Sequence, residues 1–154
     1  IIFENGSIIR LTLSFDVIAH QRNHIELYGN KGSIIVPDPN MFGGSAFVSV
    51  TTGGNWGEHK TDNMPLGKIN IKSQSARANE SSTNANYRGV GLAEMAYSIE
   101  NNLEHRCNGE LSLHVLDIID STMRASQTGI PQEIKTTCKK PKPFSLEEIK
   151  KILN

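Results

Sequence analysis

The feature that most constrains this chain is a run of strict alternation near its start. Ile9, Leu11, Leu13, Phe15 and Val17 are apolar, and Arg10, Thr12, Ser14 and Asp16 between them are polar. A period of two puts all the apolar side chains on one side of an extended backbone, which is the pattern of a half-buried β-strand and cannot be laid on a helix. Ile1-Ile2-Phe3 precedes it across Asn5-Gly6, a dipeptide that accepts the positive φ of a tight turn. The two runs therefore predict a β-hairpin with one face buried and one polar, as in an antiparallel sheet. Because the chain opens inside an apolar triplet, it reads as a strand entered midway, and the expectation is that the natural polypeptide begins upstream.

A second hairpin is predicted from His24 to Val36. His24–Tyr28 is one strand, Gly29-Asn30-Lys31-Gly32 the turn, and Ser33–Val36 the return, ended by Pro37 and Pro39. Ala46–Thr52 alternates weakly and reads as a further strand, while Trp56 stands among glycines. Residues 72–86 are polar with little to bury and read as a long loop. Helices come afterwards. Leu92, Met95, Ala96, Ile99 and Leu103 recur at helical spacing. From Gly109 a wide stripe of Leu111, Val115, Ile118 and Thr122, broadened by Leu113, Leu116, Ile119 and Met123, predicts a helix buried on much of its circumference and stopped at Gly129. Gln132–Thr136 reads as a short strand, and Ser145 with Glu148 as a capping box opening a last helix. Strands first and helices later predict an α+β fold, a mostly antiparallel open sheet with helices packed on one face. Residues 1–143 form the main domain and 144–154 a C-terminal helix.

Composition removes several function classes. Sixteen basic residues balance sixteen acidic ones, so no electrostatic footprint for nucleic acid is expected. The one basic cluster, Lys139, Lys140 and Lys142, is broken by prolines and reads as a solvated linker. No apolar run approaches the roughly 18 residues that span a bilayer, so no membrane partner is expected. Cys107 and Cys138 form no metal-ligating pair, and two free thiols fit a reducing, cytoplasmic setting.

Candidate site residues are few. Arg88-Gly89-Val90-Gly91-Leu92-Ala93-Glu94 begins like a dinucleotide fingerprint, but Glu94 stands where the third glycine belongs and a polar loop precedes it. Two readings remain: free amides at a helix start beside a guanidinium, suited to anions or hydroxyls, or glycines that only turn the chain. His20 and His24 have no carboxylate at zinc-like spacing, so no metal is expected. His114 reads as a helix-packing histidine, and His105-Arg106 as positive charge at a helix end. Asp117 and Asp120 read as a solvated face, and no nucleophile–base pair stands out. Trp56, Phe42 and Tyr87 suit either a pocket lining or loop anchors.

Three blocks in order carry a resemblance. They are Ser14-Phe15-Asp16-Val17 followed, after gaps, by His24-Ile25-Glu26-Leu27-Tyr28-Gly29-Asn30-Lys31-Gly32-Ser33-Ile34 and by Val36-Pro37-Asp38-Pro39-Asn40-Met41-Phe42-Gly43-Gly44; Tyr87-Arg88-Gly89-Val90-Gly91-Leu92-Ala93-Glu94-Met95-Ala96; and His105-Arg106 with His114-Val115-Leu116-Asp117. Over residues 1–145 the chain resembles the C-terminal domain of the Gfo/Idh/MocA oxidoreductases, the glucose-fructose oxidoreductase and inositol dehydrogenase family. The resemblance implies a parent enzyme in which an upstream Rossmann domain binds NAD or NADP and a sugar or polyol hydroxyl is oxidised. It implies that this domain supplies part of the substrate pocket and, through the sheet face, a homo-oligomer contact. The family's Glu-Lys-Pro, Asp-x-x-x-His and glycine fingerprint motifs have no counterpart here. No catalytic or cofactor-binding residue is therefore expected in the chain, and the chain alone is expected to be inactive. The residues expected to touch substrate are Arg88, His20 and Trp56. The competing reading is a stand-alone α+β binding or oligomerisation module without catalysis.

Overall fold

The computed structural model describes residues 1–69 and 87–153; the expected loop over residues 72–86 lies outside the described residues. Four strands form one antiparallel sheet in the order β1-β2-β3-β4: β1 is Ile25–Gly29, β2 Gly32–Val36, β3 Ser45–Ser49 and β4 Gly57–Lys60. Three helices follow: α1 is Val90–Glu100, α2 Gly109–Thr128 and α3 Leu146–Leu153. The class is α+β with an open antiparallel sheet, as the order of patterns predicts.

The β1–β2 hairpin forms as its turn residues dictate. Leu27 faces Ile34, Glu26 faces Ile35, and Gly29 faces Gly32 across Asn30-Lys31. Gly32 has φ 155°, and a Cβ there would come within 2.8 Å of the Ser49 carbonyl on β3, so no larger residue fits. β3 starts one residue before the expected Ala46, ends at Ser49 and not at Thr52, and pairs with β2, Ile34 facing Val48. β4 is not foreseen by the pattern: Gly57-Glu58-His59-Lys60 has no apolar alternation, and pairing with β3 alone makes it a strand.

The first predicted hairpin is corrected. Its turn exists: Gly6 has φ 82°, the Phe3 amide donates to the Ser7 carbonyl at 2.9 Å, and the Ile9 amide donates to Ile1 at 2.8 Å. Pairing stops there, at an isolated Ile2–Ile8 bridge. Beyond Ile9 the run is unpaired and bends at Phe15, Asp16 and Ile18, and Leu13 and Phe15 are exposed. Alternation says which face a strand would bury but does not supply the neighbouring strand.

The helix ends obey their caps. Asn108 accepts from the Leu111 amide at 2.9 Å to start α2, and Gly129 in the left-handed region ends it. Ser145 and Glu148 exchange hydrogen bonds, Ser145 N to Glu148 Oε2 at 2.8 Å and Glu148 N to Ser145 Oγ at 3.1 Å, so the capping box forms. α1 stops at Glu100, short of Leu103: Asn102 has φ 51°, and the Leu103 amide donates back to the Ser98 carbonyl at 2.8 Å.

Burial departs from the stripes. On α1 the buried residues are Glu94 and Ser98, while Leu92 and Ile99 of the apolar stripe are exposed. On α2 only Ser121 is buried, so the expectation of a helix enclosed on much of its circumference is overturned. α1 packs against α3, whose Ile149 is the one buried large apolar residue among those described. The expected strand at Gln132–Thr136 does not form. Its amides at Lys135 and Thr136 donate to Asp117 Oδ2 on α2 at 2.9 and 3.0 Å, which satisfies them without a strand partner.

Candidate functional site

Chemistry-bearing residues gather where β1 begins and β2 ends. Because Ile25 faces Val36, the residues flanking that pair, His24 and Pro37-Asp38, emerge at the same end of the sheet. His24 Nε2 lies 3.5 Å from Asp38 Oδ2, with both side chains partly exposed. The other oxygen, Asp38 Oδ1, accepts the Asn40 amide at 2.9 Å and caps a single 3-10 turn, Pro39–Met41. That cap aims Asn40 outward, and its Oδ1 accepts from Arg88 Nη1 at 2.8 Å. Arg88 stands just before α1, so this bond joins the sheet to the helical half across 48 residues of sequence. Beside it Phe42 and Tyr87 meet with ring centroids 5.3 Å apart, an aromatic pair that fixes the same junction. His20 completes the row, its ring 6.0 Å from that of His24 in an edge-on arrangement.

The loop that carries Asn40 and Phe42 is held from behind. Phe42 adopts φ 63°, an unfavourable value for an aromatic residue, and a Cβ at Gly43 would collide with the backbone of Gly67. Thr61 Oγ1 accepts the Gly44 amide at 2.9 Å and lies within donating distance of two carbonyls, Gly44 at 2.8 Å and Gly67 at 2.7 Å. One hydroxyl proton serves only one of them at a time, so Thr61 pins two loops with a single side chain.

The structure thus brings His20 and Arg88 into one constellation and leaves Trp56 out of it. Trp56 lines a separate recess of about 470 Å³ with Asn30, Lys31, Ser33, Thr51 and Gly53, at the β1–β2 turn. Sequence reasoning missed His24, Asp38 and Asn40. The spacing Asp38-Pro39-Asn40 carried a signal, since an aspartate before proline is the start of a capped turn.

A second cluster centres on Arg106. Its backbone amide donates to Glu94 Oε1 at 3.1 Å, Nη1 donates to the same oxygen at 3.1 Å, and Nη2 donates to Glu148 at 2.9 Å. Nε donates to the Lys142 carbonyl at 2.7 Å, and the guanidinium carbon sits 3.9 Å from the Phe144 ring centre. Four interactions of the side chain and one of the backbone amide tie α1, the 139–144 connection and α3 together, so the reading of Arg106 as a charge at a helix end is corrected. The capping amide of Ser145, together with the Arg106 guanidinium, holds the Glu148 carboxyl down to about 2. A cleft of about 310 Å³ lies alongside, bounded by Tyr97, Leu103, His105, Lys140 and Ile152. On α2, the Thr136 amide leads the hydrogen bonds that lower the Asp117 carboxyl below its ordinary range. Asp117 is therefore a fastening for residues 135–136 and not part of a solvated face. His114 Nδ1 lies 3.0 Å from Thr136 Oγ1, the packing role expected of it.

A dinucleotide does not fit these residues. Glu94, where the fingerprint needs its third glycine, is buried and committed to Arg106. The described strands are all antiparallel neighbours, with no strand–helix–strand unit to cradle a pyrophosphate. Among the described residues no cluster of histidine, cysteine and carboxylate side chains is arranged to hold a metal, and no helix is long and apolar enough to cross a membrane. Comparison with known families, with curated proteins and with solved structures finds no match to this chain.

Proposed function

We propose that this chain is the substrate-side domain of an NAD- or NADP-dependent oxidoreductase that acts on a sugar or polyol hydroxyl. One observation carries the reading: the Asn40–Arg88 hydrogen bond of 2.8 Å, which unites two of the sequence blocks on which the family resemblance rests. Residues distant in sequence, in two of the blocks that resemble one family, meet at one surface, where a functional site would need them.

The chemistry there suits a polyhydroxylated ligand. A carboxamide both donates and accepts, and a guanidinium donates in a planar fork, so the pair reads vicinal hydroxyls well. Asp38 orients the His24 imidazole, which can accept or donate a hydroxyl proton from its exposed edge. In this reading Arg88 and His20 contact substrate, with Asn40 and His24 added to them. Trp56 is dropped from the pocket because it faces a different recess. The nicotinamide cofactor and the catalytic lysine belong to a Rossmann domain upstream, and the sheet face forms the contact between copies.

The alternative, a binding or oligomerisation module without catalysis, is favoured by the exposed apolar side chains on the sheet and on α2. The coding sequence immediately before Ile1 separates the two. A Gly-x-Gly-x-x-Gly strand–helix and a Glu-Lys-Pro motif are expected there; their absence would leave the module reading in possession.

A further inference from the structure

We propose that residues 10–17 are a strap that closes on the free edge of β1 as a fifth antiparallel strand, bringing Asp16 to His24 and drawing the connection that carries His20 across the candidate site.

Donor and acceptor are both present, and neither has a strand partner. β1 is an edge of the sheet, and all five of its residues are exposed. In a hairpin with a two-residue loop, the pair flanking the loop exchanges hydrogen bonds and the pairs then alternate. Gly29, Leu27 and Ile25 are thus occupied with β2, and Glu26 and Tyr28 turn their backbone N–H and C=O groups outward. On the donor side, residues 10–17 form no backbone–backbone hydrogen bond with any described residue, and the Asp16 amide donates only locally, to Ser14 Oγ at 3.2 Å. Leu13 is 79% exposed and Phe15 fully so, an arrangement that a strand neighbour and its sheet face would relieve.

Sequence fixes the register. With Leu13 opposite Leu27, Phe15 faces Ile25 and Leu11 faces Gly29, so the apolar sets of both strands share one face. Ser14 then faces Glu26 and Asp16 faces His24, giving an opposite-charge pair whenever the imidazole is protonated. A slip of two residues one way leaves Phe15 opposite Asn23, and a slip of two the other way sets Asp16 opposite Glu26, two like charges. Residues 17–23 are long enough to turn the chain back within one molecule. That connection is already fastened at its far end, where Asn23 Nδ2 donates to Glu26 Oε1 at 2.7 Å. Closure would set His24 between two carboxylates, Asp38 and Asp16. It requires nothing of the oxidoreductase reading and stands apart from it.

Two measurements test the strap. Leu13→Cys with Leu27→Cys, in a Cys107→Ser and Cys138→Ser background, is expected to form a disulfide within the monomer. It should form at least about tenfold faster than Leu11→Cys with Leu27→Cys, which is one pair out of register. A disulfide-linked dimer, or equal rates for the two pairs, would overturn the proposal, the dimer by making a second copy the occupant. In the unsubstituted chain, amide exchange followed by NMR is expected to be slowed at Thr12, Ser14 and Asp16, by about tenfold or more over Leu11, Leu13 and Phe15. Uniform, unprotected exchange from Arg10 to Asp16 would equally overturn it.

Discussion

Arg106 shows how much of this molecule hangs on single side chains. Its partner Glu94 is 3% exposed, and a carboxylate so placed is tolerable only while the guanidinium and the Arg106 amide neutralise it. Arg106→Ala leaves that charge unpaired. Removing one member of a buried pair costs about 3–5 kcal/mol, and the partial exposure of Arg106 reduces this to about 2–3 kcal/mol, expected as a fall in Tm. Glu148 gives the matching dependence on pH. Its folded value of about 2 lies below the unfolded 4.5, so its contribution is complete above pH 4.5 and is lost as pH falls toward 2. Thermal melts between pH 2 and 5 should show this decline, and Glu148→Gln should flatten it; an unchanged slope would contradict the assignment. Neither role was legible in the sequence. Glu94 sits beside an apolar stripe that promised to face inward, and the polar Glu94–Ser98 side is the one α1 turns to its neighbours. A stripe reports hydrophobicity, whereas a buried carboxylate is decided by a cation twelve residues away.

At the scale of elements, local rules were the most readable. The β1–β2 turn, the Gly129 stop and the Ser145–Glu148 box each depend on a few neighbouring residues, so a short stretch of sequence contains the whole cause. Ser145→Ala should cost about 1 kcal/mol and fray α3, a loss of helical circular dichroism with the sheet signal retained. Elements that depend on distant partners were not readable. β4 is a strand only because β3 is beside it, and Gln132–Thr136 fails to be one because Asp117 takes its amides first. Asp117→Asn should therefore loosen residues 132–138 on α2, seen as faster amide exchange at Lys135 and Thr136. Protection unchanged from the parent chain would remove Asp117 from that role.

For the whole molecule, the sheet and the helical half are joined at the candidate site by Asn40 with Arg88 and Phe42 with Tyr87. Among the described residues, apolar side chains stand exposed on the sheet, at Leu27 and Tyr28, and on α2, at Leu113, Leu116 and Met123. The sequence singles out Arg88 and His20 as candidates and does not reveal that Asp38 and Asn40 connect them, since that link is made by a turn only the fold brings into place. In the proposed function this surface binds a polyhydroxylated substrate while the dinucleotide is held elsewhere. The most direct measurement is a titration of the isotope-labelled chain with a panel of polyols and, separately, with NAD and NADP, followed by NMR. Polyol-dependent shifts at Asn40, Phe42, Tyr87 and Arg88, absent in Arg88→Ala, with no response to either dinucleotide, are the predicted result. Tight dinucleotide binding, or no polyol response at those four residues, would contradict it.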